Sequence, residues 1–228
     1  PIVRRAFELG INFFDTADVY VKGAAEEALG AALKGLPRGE IVVATKCMGR
    51  VGEGPLGRGL SRKHIFDALD ASLRRLQLDY VDLYQFHAPD DQTPIEESVR
   101  AFEDLVRSGK VRYVGFSNFD HQPALATRAV ALQRRHGWLP LISSQPRYNL
   151  LHRHCEHAIF PLAEAEGIGV ISYNPLAGGF LTGKYKRGVA RPDDTRGSKR
   201  PGSLDRWTTD ANFDVLEALE AFATSRDH

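Results

Sequence analysis

Ile11-Asn12-Phe13-Phe14-Asp15-Thr16-Ala17 is a short β-prone run that closes on an ionisable side chain, and the same texture returns five more times along the chain. Residues 41–47 close with Lys46, residues 80–87 with His87, and residues 111–118 with Ser117-Asn118. Residues 141–148 carry Gln145, and residues 169–174 end in Tyr173-Asn174. Between these runs lie longer stretches with helical periodicity, predicted at 24–34, 61–77, 94–108, 123–135 and 154–166, with a last helix near 212–224. The second is the clearest. Ser61 stands where an N-cap belongs, and Ile65, Leu69, Leu73 and Leu76 recur on one face. Pro94 sits in the first turn of the third, and Gly109 follows its end. Residues 1–5 read as the interior of a helix.

Strands alternating with helices predict a parallel α/β sheet. Two architectures compete. A doubly wound sheet gathers its ligand residues at one switch point, and no G-x-G-x-x-G follows the first strand. A (β/α)8 TIM barrel carries its active site on the C-terminal ends of many strands, which is where Asp15, Lys46, His87, Ser117, Asn118, Tyr173 and Asn174 fall. The expected fold class is therefore α/β, a (β/α)8 TIM barrel truncated to about six strands, in one domain over 1–228. Residues 183–209, rich in Arg, Lys, Gly, Pro and Asp, are expected to form a long loop of that domain.

The composition excludes other classes. Hydrophobic residues make up 43% and charged residues 26%, ordinary for a globular domain. Thirty basic residues against 29 acidic ones leave a net charge of +1, which argues against nucleic acid or a membrane surface as partner. No apolar run approaches the ~18 residues of a membrane helix. Cys47 and Cys155 form no CxxC, which favours a reducing cytoplasm.

Four residue types suit reduction of a carbonyl. The carbonyl oxygen gains negative charge as hydride arrives, so it needs a proton donor and positive charge nearby. A tyrosine phenol, with an ordinary pKa of about 10, can donate, and a neighbouring ammonium favours the phenolate left behind. A carboxylate keeps that ammonium charged and in place, and a histidine N–H can orient the carbonyl. Asp15, Tyr20, Lys46 and His87 supply this set.

Six segments resemble the aldo-keto reductase family in order and spacing, from residue 1 to about 190. Residues 12–20 (NFFDTADVY) resemble its FDTA…Y motif, 44–46 its ATK, and 79–87 (DYVDLYQFH) its DYxDLYxxH. Residues 110–119 (KVRYVGFSNF), 145–149 (QPRYN) and 172–179 (SYNPLAGG) complete the set. The SRKH at 61–64 and the LAGGFLTGKY at 176–185 look like the bacterial aryl-alcohol dehydrogenase-like branch and like potassium-channel β-subunits.

The resemblance implies reduction of an aldehyde or ketone by NADPH, without a metal. It implies Tyr20 as proton donor, tuned by Lys46 and Asp15, with His87 orienting the substrate carbonyl. It places Asp15, Ser117, Asn118 and Gln145 about the nicotinamide, with Tyr173 stacked on its ring. Asn174, Pro175, Leu176, Gly178 and Gly179 would lie along the pyrophosphate. It further implies that the first and eighth strands, neighbours in a closed barrel, fall outside this sequence, together with the segment that grips the adenosine 2′-phosphate. A second reading follows from that: a catalytically weak or inactive nucleotide-binding or regulatory barrel fragment. The expected partner is a small carbonyl compound.

Blander readings stand beside these. Asp15 could be a buried carboxylate satisfied by helix N–H groups, His87 a hydrogen-bonded core histidine, Asn118 a helix cap. Residues 178–185 fit G-x-x-x-x-G-K, but Tyr185 stands where Ser or Thr must hold magnesium. His152, His154 and His157, with Cys155 and Glu156, could suggest a metal, but the run lacks a full ligand set.

Overall fold

Each short β-prone run becomes a strand, and each amphipathic stretch becomes the helix that carries the chain back to the next strand. In the computed structural model, which describes residues 2–200 and 202–227, α1 (Ile2–Glu8) precedes β1 (Phe13–Asp15). There follow α2 (Ala24–Leu33), β2 (Val42–Cys47), α3 (Arg62–Leu76), β3 (Val81–Phe86), α4 (Ile95–Arg107) and β4 (Val111–Ser117). Then come α5 (Pro123–His136), β5 (Leu141–Gln145), α6 (Ile159–Glu166), β6 (Gly169–Val170), the short α7 (Arg196–Lys199) and α8 (Asp210–Thr224). The six strands form one sheet in chain order, β1-β2-β3-β4-β5-β6, with every neighbouring pair parallel. Consecutive parallel neighbours joined by helices are the arrangement of a (β/α)8 barrel, here with six of eight strands.

The helix α3 shows how the sequence encodes the packing. The Ser61 side chain accepts the N–H of His64 at 3.3 Å, satisfying one of the unpaired first-turn donors. Ile65, Leu69, Leu73 and Leu76 are all buried. Gln77 ends the helix in a left-handed conformation and gives its N–H to Leu73 O. Gly30 lets α2 pack against the end of α3. A Cβ there would lie 2.4 Å from the Leu76 carbonyl oxygen.

The described residues group into two compact units. The first contains the sheet: it runs to Pro146 and takes in Glu156–Ile171. The second comprises Arg147–Cys155 and the chain from Ser172 onward. Its core is Ala177, Phe180, Tyr185, Leu204, Trp207, Phe213 and Leu216. Arg187 meets Asp210, Asp214 and Glu217 on α8, which fastens the basic loop to that helix.

Three element boundaries differ from expectation. The strand expected over 141–148 ends at Gln145, because Pro146 has no N–H to give the ladder. The strand expected over 169–174 is only Gly169–Val170, although Ile171 N still donates to Ser144 O at 2.9 Å. The helix expected over 154–166 opens as a 3-10 turn, His154–His157, before α6 starts at Ile159. Pro161 accounts for the break, since its ring would clash with the His157 carbonyl in a continuous α-helix. Among the described residues no helix is long and apolar enough to cross a membrane.

Candidate active site

Lys46 is the penultimate residue of β2 and its side chain is 1% exposed. A lysine buried to that degree needs partners for its ammonium protons. It has two: Nζ donates to Asp15 Oδ2 at 2.6 Å and to Thr16 O at 2.7 Å. Asp15, the last residue of β1, is thus neutralised by Lys46 rather than by helix N–H groups. Burial lowers the Lys46 pKa below the ordinary lysine value, and the charge of Asp15 works against that shift.

Tyr20 stands beside this pair. The Lys46 ammonium lies 5.3 Å from the centre of the Tyr20 ring, and the His87 ring approaches edge-on with centroids 5.6 Å apart. The turn that positions Tyr20, Tyr20–Gly23, is strained. Val21 and Lys22 both take left-handed conformations, at φ 50° and 55°, which a β-branched valine adopts rarely. Tyr20 is 41% exposed, so its ring is open to solvent.

His87 follows the end of β3, and its backbone N–H donates to Cys47 O at 2.9 Å. Its carbonyl accepts from Asn118 Nδ2 at 2.8 Å. Burial first, and the Lys46 charge second, pull the His87 pKa down to about 4, so the ring is neutral at physiological pH. The same Asn118 Nδ2 donates to Ser117 Oγ at 3.0 Å, and Ser117 Oγ donates to Gln145 O at 2.7 Å. Asn118 has φ 61°, and the N-cap of α5 is Gln122, so the helix-cap reading of Asn118 does not hold. Gln145 is itself buried.

The sheet unit therefore brings together seven of the expected residues: Asp15, Tyr20, Lys46, His87, Ser117, Asn118 and Gln145. The others lie in the second unit. There Tyr173 bridges Arg147 in parallel register, with the Arg147 guanidinium 5.5 Å from the Tyr173 ring centre. Asn174 caps the turn that follows: its Oδ1 accepts Gly178 N at 2.6 Å, and its carbonyl accepts Asn149 Nδ2 at 3.0 Å. Leu176 O accepts Gly179 N at 2.8 Å. Pro175 and Leu176 lead into this 3-10 turn, in which Gly178 (φ 71°) and Gly179 (φ 98°) are left-handed. A Cβ on Gly179 would meet Lys184 Cε and Nζ at 3.3 Å. Gly178 and Gly179 are the two residues of this turn without side chains.

Three residues of the site escape a reading of strand ends. Gln85, buried within β3, gives Nε2 to Asp15 Oδ1 and takes Ser143 Oγ, both at 3.4 Å. Glu26, fully buried on α2, accepts Thr45 Oγ1 at 2.6 Å and Arg75 Nε at 2.7 Å. Asp18, between Asp15 and Tyr20, is 1% exposed. A polar residue in the middle of an apolar strand was the available signal for Gln85.

A parallel sheet in chain order with its polar set on the strand ends is the pattern of a barrel-type α/β protein. The Aldo/keto reductase family pattern matches residues 1–228, and the chain belongs to that family. It is 39% identical over 236 residues to the L-glyceraldehyde 3-phosphate reductase of Escherichia coli O157:H7, covering 99% of this chain and 66% of that protein. It is 45% identical over 190 residues to the "Probable voltage-gated potassium channel subunit beta" of Arabidopsis thaliana, covering 82% of this chain and 57% of the relative. Among solved structures it resembles the glycerol dehydrogenase of Gluconobacter oxydans, with TM-score 0.78 and 35% identity, over 98% of this chain and 67% of that one. The chain thus spans about two thirds or less of these curated relatives.

Proposed function

We propose that this chain carries the catalytic site of a carbonyl reductase that uses NADPH, with Tyr20 as the proton donor. The observation that supports this most is the Lys46 ammonium, held by Asp15 at 2.6 Å and standing 5.3 Å from the Tyr20 ring centre. A buried, paired ammonium beside a solvent-accessible phenol favours release of the phenolic proton.

Each unit, taken by itself, holds groups of a kind the nucleotide needs. In the sheet unit, Ser117, Asn118 and the buried Gln145 offer amide and hydroxyl groups of the kind a nicotinamide carboxamide needs; in the second unit, the left-handed Gly178-Gly179 pair presents backbone without side chains, as contact with phosphate needs. When bound, the nicotinamide supplies the hydride. The chain's own residues do the rest. Tyr20 gives its hydroxyl proton to the carbonyl oxygen. Lys46, fixed by Asp15 Oδ2 and Thr16 O, stabilises the phenolate left behind. His87, neutral above about pH 4, presents a ring N–H to the carbonyl oxygen, and Asn118 fixes the backbone that carries it.

The relatives named as reductase and dehydrogenase point to small aldehydes, ketones or polyols as substrates. Two buried cysteines far apart in sequence, Cys47 and Cys155, suit a reducing compartment such as the cytoplasm. The likeness to potassium-channel β-subunits supports a second reading, a nucleotide-binding regulator with weak turnover.

A fluorescence titration of the 228-residue chain with NADPH and then NADH tests the nucleotide site, with Trp138 and Trp207 and the nicotinamide as reporters. Saturable micromolar binding of NADPH, followed by aldehyde-dependent oxidation, is the expected result. Binding without turnover would favour the regulatory reading. No binding of either nucleotide would contradict both.

A further inference from the structure

Behind the Asp15–Lys46 pair lies a buried charge set. Asp18 is 1% exposed, Glu26 fully buried, and Lys46 1% exposed. Arg75, reaching across from α3, bonds Glu26 through Nε at 2.7 Å and also donates to Ser72 Oγ at 3.3 Å. Gly23 lets it pass, since a Cβ there would lie 2.8 Å from Arg75 Cδ. Thr16 N donates to Ala44 O at 2.9 Å and Asp18 N to Lys46 O at 3.2 Å, so the chain runs on extended past β1 along β2. Alternate residues of an extended segment share a face, which places Thr16 and Asp18 together on the face opposite Asp15.

Glu26 and Asp15 each pair directly with a cation; among the described residues Asp18 pairs with none. Neither Asp18 oxygen, nor Thr16 Oγ1, has a hydrogen-bond partner among the described residues. The charge count points the same way. Three acids (Asp15, Asp18, Glu26) face two cations (Lys46, Arg75), so full ionisation leaves one uncompensated negative charge in and beside the core. One proton on the set removes it, and the carboxylate that pairs with no cation is the one that takes it.

We propose that Asp18 is a buried, titrating positioning residue: by losing or gaining one proton it changes the charge that Lys46 feels, and through Lys46 it adjusts the Tyr20 proton donor. The Tyr20 part rests on the carbonyl-reducing reading; the Asp18–Lys46 coupling does not. Burial first and the Glu26 charge second push the Asp18 pKa up to about 7. The nearby Val19 N–H opposes that shift most, then Arg75 from α3 and Lys46 from β2. The other titratable groups nearby, Cys47 on β2 and Tyr84 on β3, are fully buried and pushed toward their neutral forms, so neither changes charge in the same range. Ionised Asp18 raises the Lys46 pKa and favours its ammonium.

The test is carbon-13 NMR of the chain without nucleotide, following aspartate carboxyl and lysine Cε signals against pH. The Asp18 signal is the one lost in Asp18→Asn, and the Lys46 signal the one lost in Lys46→Arg. An Asp18 midpoint near neutrality is expected. The Lys46 signal should move with the same midpoint in the wild type and stay flat in Asp18→Asn. Glu26→Gln, which keeps Glu26's shape and removes its charge, should lower the midpoint. An Asp18 midpoint in the ordinary carboxylate range would overturn the proposal, as would a Lys46 signal that moves alike with and without the Asp18 carboxyl. Should Asp18→Asn not fold, a Lys46 midpoint that Glu26→Gln leaves unmoved would overturn it instead. Because no nucleotide or substrate is present, loss of the carbonyl-reducing reading would appear in turnover and not here. In an active enzyme the same inflection should appear in the pH profile of kcat and vanish in Asp18→Asn.

Discussion

Asp18, buried, and His87, half-buried, are protonated differently in the fold and in the unfolded chain, and they pull stability in opposite directions. His87 falls from 6.5 to about 4 on folding, so between those values the unfolded chain holds more protons and stability rises with pH. Its contribution is complete above pH 6.5 and is lost as pH falls toward 4. Asp18 rises from 3.8 to about 7, so the folded chain holds more protons in that window and stability falls as pH rises through it. In the wild type the two slopes partly cancel. Asp18→Asn removes the second, so the variant should gain on the wild type from pH 5 to pH 7, by about 2 kcal/mol. Denaturant midpoints at the two pH values measure this, and a wild-type-to-variant difference that does not change with pH contradicts it. The strand-end residues Asp15, Lys46 and His87 were legible in the sequence because an ionisable group closing an apolar run is unusual. Glu26 was not, because its partner Arg75 lies 49 residues away, and Asp18 was not, because only the fold buries it without a bonded cation.

At the scale of the element, periodicity identifies the helices and strands, while single residues fix where they stop. The face of α3 follows from Ile65, Leu69, Leu73 and Leu76, and its start from Ser61. Pro146 shortens β5 and Pro161 breaks the turn ahead of α6; both were visible as letters, but their effect depends on which carbonyl they would have faced. The Tyr20–Gly23 turn was not legible, because nothing local prefers a left-handed conformation at Val21. The contact between α2 and α3 gives a prediction that helix propensity alone would reverse. Alanine is better than glycine inside a helix by about 1 kcal/mol. At Gly30, however, the added methyl would lie 2.4 Å from Leu76 O and 2.6 Å from its carbonyl carbon. Both obstacles are backbone, so Gly30→Ala should lower stability by about 1–3 kcal/mol, as overpacking does. A variant more stable than the wild type by urea unfolding would show that the two helices are not locked as described.

For the whole molecule, order and composition together carry most of the fold: six strands in chain order follow from six runs separated by helices. Which strand ends converge on one site follows from the closeness of consecutive strands, not from any single run. Among the described residues β1 and β6 each pair with one strand only, which leaves two parallel edges able to pair with another chain. The 228-residue chain by itself should therefore aggregate or melt below about 50 °C, within or under the usual range for mesophilic domains. A cooperative, soluble monomer with a higher melting temperature would contradict that. The claim on which the functional account turns is that Tyr20, beside Lys46, delivers the proton. The direct measurement is aldehyde-dependent NADPH oxidation by the wild type and by Tyr20→Phe, with NADPH binding measured on both. The account predicts turnover that falls by about 10²–10⁴-fold in Tyr20→Phe while nucleotide binding is kept; a Tyr20→Phe chain that reduces aldehydes at the wild-type rate would contradict it.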